Sequence, residues 1–300
     1  MSLKQRLGNL IRASGHLPVI ESVVYHPAIR ATVQNWPGFN VLYGRGWHFL
    51  HPFDRLHRTD TSGFIPADEL PNSPFATTRM HVYAASQPSI VRSALRTLPP
   101  LETFTFIDLG CGKGRPLLIA SEFAFRDIIG VELSPLLAGI ARKNATILNK
   151  EYPSRRAVRV EVGDASTYPF PPGNLVIFLF NPFAEGVIRK VIGGIEAALA
   201  AEKRSVYVVY YNPVYGACFD QSQALTRYFA ATIPYSDEEL GYGCTRADPV
   251  VVWQGGSSIT APIPGANARI EIATPGWSCE LRNVADNGDL TPPKTSERSR

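Results

Sequence analysis

The chain is predicted to be an α/β protein built on a mostly parallel sheet with helices on both faces. Three observations lead there. From Thr103 onward, short apolar runs rich in β-branched and aromatic residues alternate with helix-like segments. Those runs are apolar along their whole length, as strands covered on both faces are. Carboxylates and glycines then recur where the runs end, the edge at which ligands collect in such sheets.

Taken in order, the first 84 residues form an N-terminal extension rich in histidine and aromatic residues. Leu3, Leu7, Leu10 and Ile11 fall at helical spacing beside Lys4, Arg6 and Arg12, which reads as a surface helix rather than a transit peptide or membrane-surface helix. "NWPGFNVLYGRGWHFLHPF", from Asn35 to Phe53, is dense in aromatics, and Tyr83 stands just before the first helix of the domain. The extension is therefore expected to lie on the substrate side of the site as a lid. "TDTSGFIPADELPNSP", Thr59 to Pro74, reads as loop.

A domain is expected over residues 85–256. A helix opens it at "SQPSIVRSALRTL", with Ser86 or Gln87 near its cap and Pro88 in its first turn, where the missing N–H does no harm. Strands are expected at Phe104 to Leu109, Asp127 to Leu133, Ala157 to Val162, Asn174 to Phe180 and Ser205 to Tyr211. Helices are expected near Leu117 to Phe123, Leu136 to Leu148, Ile188 to Ala201 and Ala217 to Phe229. After Ala230 two short strand candidates flank a polar loop, and an antiparallel pair at the sheet edge accommodates them. Residues 257–300 form a C-terminal extension: "ARIEIAT" alternates enough for one more strand, and beyond about residue 284 the chain has almost nothing apolar to bury and reads as disordered.

Composition bounds the function. With 45% hydrophobic and 19% charged residues, 300 residues build one large domain with an appendage or two modest domains. No apolar stretch reaches the roughly 20 residues that cross a bilayer, so a soluble, cytoplasmic protein is expected. Cys111, Cys218, Cys244 and Cys279 are far apart and form no C-x-x-C pair, which argues against a zinc ribbon and a disulfide scaffold. A net charge of +4 does not call for a nucleic-acid partner. All six histidines precede residue 82; "WHFLH" offers two at metal-ligand spacing, and a metal site would need a third ligand and usually a carboxylate. Packing or surface roles are expected for them, with no metal.

"FIDLGCGKGRPLLIA", Phe106 to Ala120, carries the chemistry. Gly110, Gly112 and Gly114 allow close backbone approach to a dinucleotide, a phosphate or another nucleoside. A Walker loop fails because Lys113 is followed by glycine, and the spacing G-x-G-x-G departs from the dinucleotide fingerprint. Asp108 beside the loop favours a cationic guest over a pyrophosphate. Glu132, about twenty residues on, is placed to accept ribose hydroxyls, which serves a nicotinamide dinucleotide equally well. Asp164 is placed to accept from an exocyclic amine, with the Ala165 N–H donating to the ring and Gly163 keeping the approach open. Lys113 and Arg115 read as solvated residues at a helix start.

"FIDLGCGKGR", "GVELS", "GDA" and "IFLFNPF", in this order and spacing, resemble the class I S-adenosylmethionine-dependent methyltransferases over about Thr103 to Gly255. The resemblance implies a Rossmann-like seven-stranded sheet with an antiparallel last strand and S-adenosyl-L-methionine as cofactor. It implies cofactor contacts by Asp108, Gly110, Cys111, Gly112, Gly114, Glu132, Asp164, Ala165 and Phe180. The pairing of "DLGCGKGR" with "FNPF" is similar to bacterial small methyltransferases and to the non-SET nucleosomal lysine methyltransferases. In amino-directed members with Asn-Pro-Pro-aromatic, the asparagine and the next carbonyl accept from the target amine. Asn181, Pro182 and Phe183 match that pattern without its second proline, so nitrogen and oxygen targets both stay open, as does a plain strand-ending turn. "VVYYNPVY" repeats the device, and Tyr83, Tyr211 and Asn212 are the candidate substrate contacts. The acceptor is a small molecule or a protein. A binding module without turnover and an oxidoreductase using a nicotinamide dinucleotide are the alternatives.

Overall fold

A computed structural model describes residues 50–65, 83–180, 183–240, 242, 246–257, 259–274 and 277–281. The expected leucine-striped helix, most of the aromatic segment that follows it, the histidines other than His51 and His57, and the tail lie outside them.

At the centre is a seven-stranded sheet. Its strands are β3 (Phe104–Leu109), β4 (Asp127–Glu132), β5 (Val158–Val162), β6 (Asn174–Phe180), β7 (Ser205–Tyr211), β8 (Thr226–Pro234) and β9 (Ala247–Gly256). They lie in the order β5-β4-β3-β6-β7-β9-β8. The first five are parallel, and β9 runs antiparallel to both of its neighbours. Each central strand sends alternate side chains to two separate cores, the period of two that a pleated strand imposes. Phe106, Val176, Phe178, Tyr207, Val209 and Val252 enter one core; Ile107, Leu109, Ile177, Val208, Tyr210 and Trp253 enter the other.

The helices divide accordingly. Helices α2 (Pro88–Arg96), α3 (Arg115–Ala120) and α4 (Pro135–Glu151) contribute Ile90, Val91, Leu117, Leu118 and Leu148 to the first core. Helices α5 (Glu185–Ala201) and α6 (Gly216–Asp220) contribute Ile188, Val191, Ile195 and Phe219 to the second. Because β4 and β5 lie on one side of β3 and β6 on the other, the winding direction reverses at β3. The crevice this leaves at the carboxyl ends of β3 and β6 is where such sheets bind ligands.

Three expectations need correction. The helix expected over Ala217 to Phe229 is only α6, and the chain from Thr226 is strand β8. Its partner β9 supplies a full antiparallel register, and Arg227 at its start pairs with Asp220, the last residue of α6. Pairing across the sheet therefore decides a segment whose local pattern is ambiguous. The loop at Thr59 to Pro74 contains a two-residue strand, β1 (Phe64–Ile65), paired with β2 (Tyr83–Ala84). The C-terminal strand has a partner too: β10 (Ile270–Thr274) forms a hairpin with β11 (Trp277–Leu281). Ahead of the sheet, α1 (Pro52–His57) is capped by His51, whose Nδ1 accepts from the Phe53 N–H.

Candidate functional site

The cleft at the switch point is lined from four strand ends. Asp164 and Ala165 follow β5, Glu132 ends β4, Asp108 and the glycine loop close β3, and Phe180 and Phe183 follow β6. Tyr83, Ser86 and Arg115 complete the wall on the glycine-loop side.

The loop folds this way because its glycines occupy backbone space closed to other residues. Gly110 and Gly112 have φ of 77° and 55°, where a side chain strains the backbone. A Cβ on Gly112 would also overlap the Tyr83 ring. The Gly110 and Cys111 N–H groups donate to the Val131 carbonyl at 2.8 and 3.1 Å, pinning the loop to the end of β4. Gly114 serves packing instead. It caps α3 with φ 87°, does not line the cleft, and a Cβ there would press on Ala141.

The two central acids differ in what they already hold. Glu132 accepts the Gly112 N–H on Oε2 and the Ser134 N–H on Oε1, each at 2.8 Å. It therefore shapes the loop as well as facing the cleft. Asp108 is 2% exposed, and its Oδ2 is a buried acceptor with no partner among the described residues. Burial, and then the nearby Glu132 carboxylate, push the Asp108 carboxyl well above its ordinary range. Burial also raises Glu132, opposed by the backbone donors. An unmet buried acceptor is costly, and a ligand cation supplies what it lacks. Asp164 uses Oδ1 to accept the Ser166 N–H at 2.8 Å, opening a short 3₁₀ turn and holding Ala165 against the cleft.

Lys113 and Arg115 are buried, 7% and 2% exposed, rather than solvated. Lys113 Nζ reaches Asp60 at 2.8 Å and the Ser62 carbonyl at 2.7 Å. The Arg115 guanidinium donates to Thr61 Oγ1 at 2.7 Å and to the Ser86 carbonyl at 3.1 Å, and pairs with Asp54 at 3.3 Å. Asp54 in turn accepts from the hydroxyls of Thr59, Thr61 and Ser62. Burial works against ionised Asp54, but Arg115 and those hydroxyls hold its carboxyl below the usual range. Residues 51–62 are thereby clamped to the glycine loop. Neither Ser86 nor this clamp was recognised in the sequence, and the buried helix-start basic residues were its only trace.

Of the substrate-side candidates, Tyr83 lines the cleft and donates to the Thr61 carbonyl at 2.7 Å. Tyr211 does not reach it. Its ring stacks on Phe180 at 4.2 Å between centroids, and its hydroxyl donates to Asp248 at 2.5 Å. Asn212 is likewise away from the cleft, with φ 51° and its N–H on the Pro249 carbonyl. Both serve the strand end. Asn181 and Pro182 lie outside the described residues, while Phe183 lines the cleft. His51 is held inside the fold by Gln87 and Phe53.

Residues 107–188 match the family model of the methyltransferase domain. Solved structures cover a little over half of the chain. The YcgJ protein of Bacillus subtilis is 15% identical, covering 57% of this chain and 98% of its own, with a TM-score of 0.39. An RNA methyltransferase of Salinibacter ruber, solved with S-adenosyl-L-homocysteine, is 19% identical, covering 59% and 97%, with a TM-score of 0.37. A TehB-like SAM-dependent methyltransferase of Corynebacterium glutamicum is 19% identical, covering 55% and 85%, with a TM-score of 0.35. No curated protein sequence matches the chain. The order of the sheet, its one antiparallel strand and the acids at its strand ends define the class, a Rossmann-like nucleoside-binding domain. Within that class, the match over residues 107–188 is to the methyltransferase domain.

Proposed function

We propose that the cleft binds S-adenosylmethionine and that the protein transfers its methyl group to a nitrogen or oxygen of a small-molecule or protein acceptor. The observation that carries this reading is the buried, unpartnered Asp108 Oδ2 beside a glycine loop. It is the acceptor an ammonium requires and a poor neighbour for a pyrophosphate.

The chain's own residues take the following roles. Asp108 receives the ammonium, Glu132 accepts the ribose hydroxyls on lone pairs its two backbone donors leave over, and Asp164 with the Ala165 N–H reads the base. Cys111, Gly110 and Gly112 supply the close-fitting backbone. Phe180 and Phe183 form an apolar wall toward the acceptor side, which excludes water from the reacting atoms. The bound cofactor supplies an electrophilic methyl group on a sulfonium sulfur. Aligning the acceptor atom with it is the main service the protein renders to the rate. Asn181 and the Pro182 carbonyl are assigned to hold the acceptor by accepting its protons.

Incubation with S-adenosylmethionine and candidate acceptors, followed by detection of S-adenosylhomocysteine, tests the reading. Acceptor-dependent product supports it. Tight binding of S-adenosylhomocysteine without product under any acceptor supports a binding module instead. Thermal stabilisation by a nicotinamide dinucleotide and none by S-adenosylhomocysteine would overturn it.

A further inference from the structure

Among the described residues, two buried polar atoms in the wall of this cleft have no partner: Asp108 Oδ2 and Ser86 Oγ. Ser86 is 2% exposed and precedes α2, in the stretch that begins with Tyr83, whose ring covers Gly112. Arg115 donates to the Ser86 carbonyl at 3.1 Å and itself lines the cleft, so the backbone of Ser86 is held in place by a cation. Asp164 follows β5, Glu132 ends β4, and Asp108 lies near the end of β3, where the glycine loop begins. Ser86 lines the same cleft on the glycine-loop side.

A hydroxyl can donate, and an ionised carboxylate only accepts. One unmet donor and one unmet acceptor in the wall of one cleft, on its glycine-loop side, match a zwitterion. We propose that Ser86 is a specificity-determining residue that donates to the carboxylate of an α-amino acid group whose ammonium is taken by Asp108. The assignment rests on the cofactor reading above and adds to it the group that reads the carboxylate. It also explains why a serine hydroxyl is left unpaired inside the protein. Its partner arrives with the ligand, and Arg115 adds positive potential on that side without spending its ion pair with Asp54.

Ser86→Ala tests it by calorimetry against three probes: S-adenosylhomocysteine, its decarboxylated analogue that keeps the ammonium, and 5′-methylthioadenosine, which lacks the whole amino acid. The expected result is a loss of about tenfold or more for S-adenosylhomocysteine, the range for a hydrogen bond to a charged group. Affinity for the other two probes stays within about twofold, a change too small for a lost hydrogen bond. The melting temperature of the ligand-free variant is not lowered, because the oxygen removed has no partner there. Equal losses for all three probes, or none for S-adenosylhomocysteine, would overturn the assignment while leaving the cofactor reading intact. A wild-type protein that binds neither S-adenosylhomocysteine nor 5′-methylthioadenosine overturns both.

Discussion

At the scale of single residues, the site holds groups that the ligand-free fold would be better off without. Asp108 is the sharpest case. Its carboxyl is raised by burial and by Glu132, so the folded protein binds more protons than the unfolded chain between the ordinary carboxylate range and the raised value. Stability of the ligand-free protein is accordingly fullest at low pH and declines as pH rises through that window, with Glu132 acting in the same direction. An ammonium prefers ionised Asp108. Affinity for S-adenosylhomocysteine is therefore expected to rise with pH over the same window, with proton release that shows as a buffer-dependent enthalpy in calorimetry. Asp108→Asn is expected to melt no lower than wild type without ligand, to bind S-adenosylhomocysteine more weakly, and to lose most of the pH dependence. Unchanged affinity would remove Asp108 from the site. Gly112→Ala makes a complementary prediction, because it combines left-handed backbone with a collision against Tyr83. A loss of about 1–3 kcal/mol in stability is expected from such strain, and adding Tyr83→Ala should recover only the steric part, as denaturant unfolding would reveal.

Among the elements, the segment from His51 to Gly63 matters most for how the cleft is built. It belongs to the extension expected to lie on the substrate side, and the structure ties it to the glycine loop through Arg115, Lys113, Asp54 and Asp60. Asp54→Ala leaves Arg115 buried without its carboxylate, and about 3–5 kcal/mol of stability should be lost, the usual cost of breaking a buried pair from one side. Asp54→Leu combined with Arg115→Met should cost less than the single change; equal or greater loss in equilibrium unfolding would mean the pair is not coupled. By the same reasoning, deletion of residues 1–62 is expected to impair folding and cofactor binding together. His51 adds a pH signature of opposite sign to that of Asp108. Burial first, and then Arg115, lower its pKa to about 3. Its stabilising contribution, present above about pH 6.5, is lost as pH falls toward 3. Because Nδ1 accepts from Phe53, protonation there breaks the cap of α1. Resonances of α1 should shift below about pH 4, and no change down to pH 3 would contradict the cap.

Over the whole molecule, the parts written in local pattern were legible and the parts written in long-range contact were not. Strands β3, β6 and β7 match their expected bounds residue for residue, because a fully buried parallel strand announces itself by an unbroken apolar run. Gly110, Gly112 and the acids at positions 108, 132 and 164 line the cleft, and their spacing follows from one strand end to the next; Gly114 does not line it. Arg115 was misread because its partners Asp54 and Thr61 lie more than fifty residues earlier, and nothing near a basic residue at a helix start tells whether water or a carboxylate will meet it. Tyr211 was misread for the same reason, since Asp248 claims it across the sheet. Ser86 was read only as a residue near a helix cap, because only the enclosed space around it reveals an unmet hydroxyl. The account depends most on the identity of the ligand in the glycine loop, and calorimetric titration of wild type and Glu132→Ala with S-adenosylhomocysteine tests that directly. Wild type should bind at one site, and the variant should lose at least about 1.5–3 kcal/mol, the worth of hydrogen bonds to a charged acceptor, with more lost if the Gly112 and Ser134 N–H groups go unmet. Full affinity in a folded Glu132→Ala variant, or no binding by wild type, would contradict it.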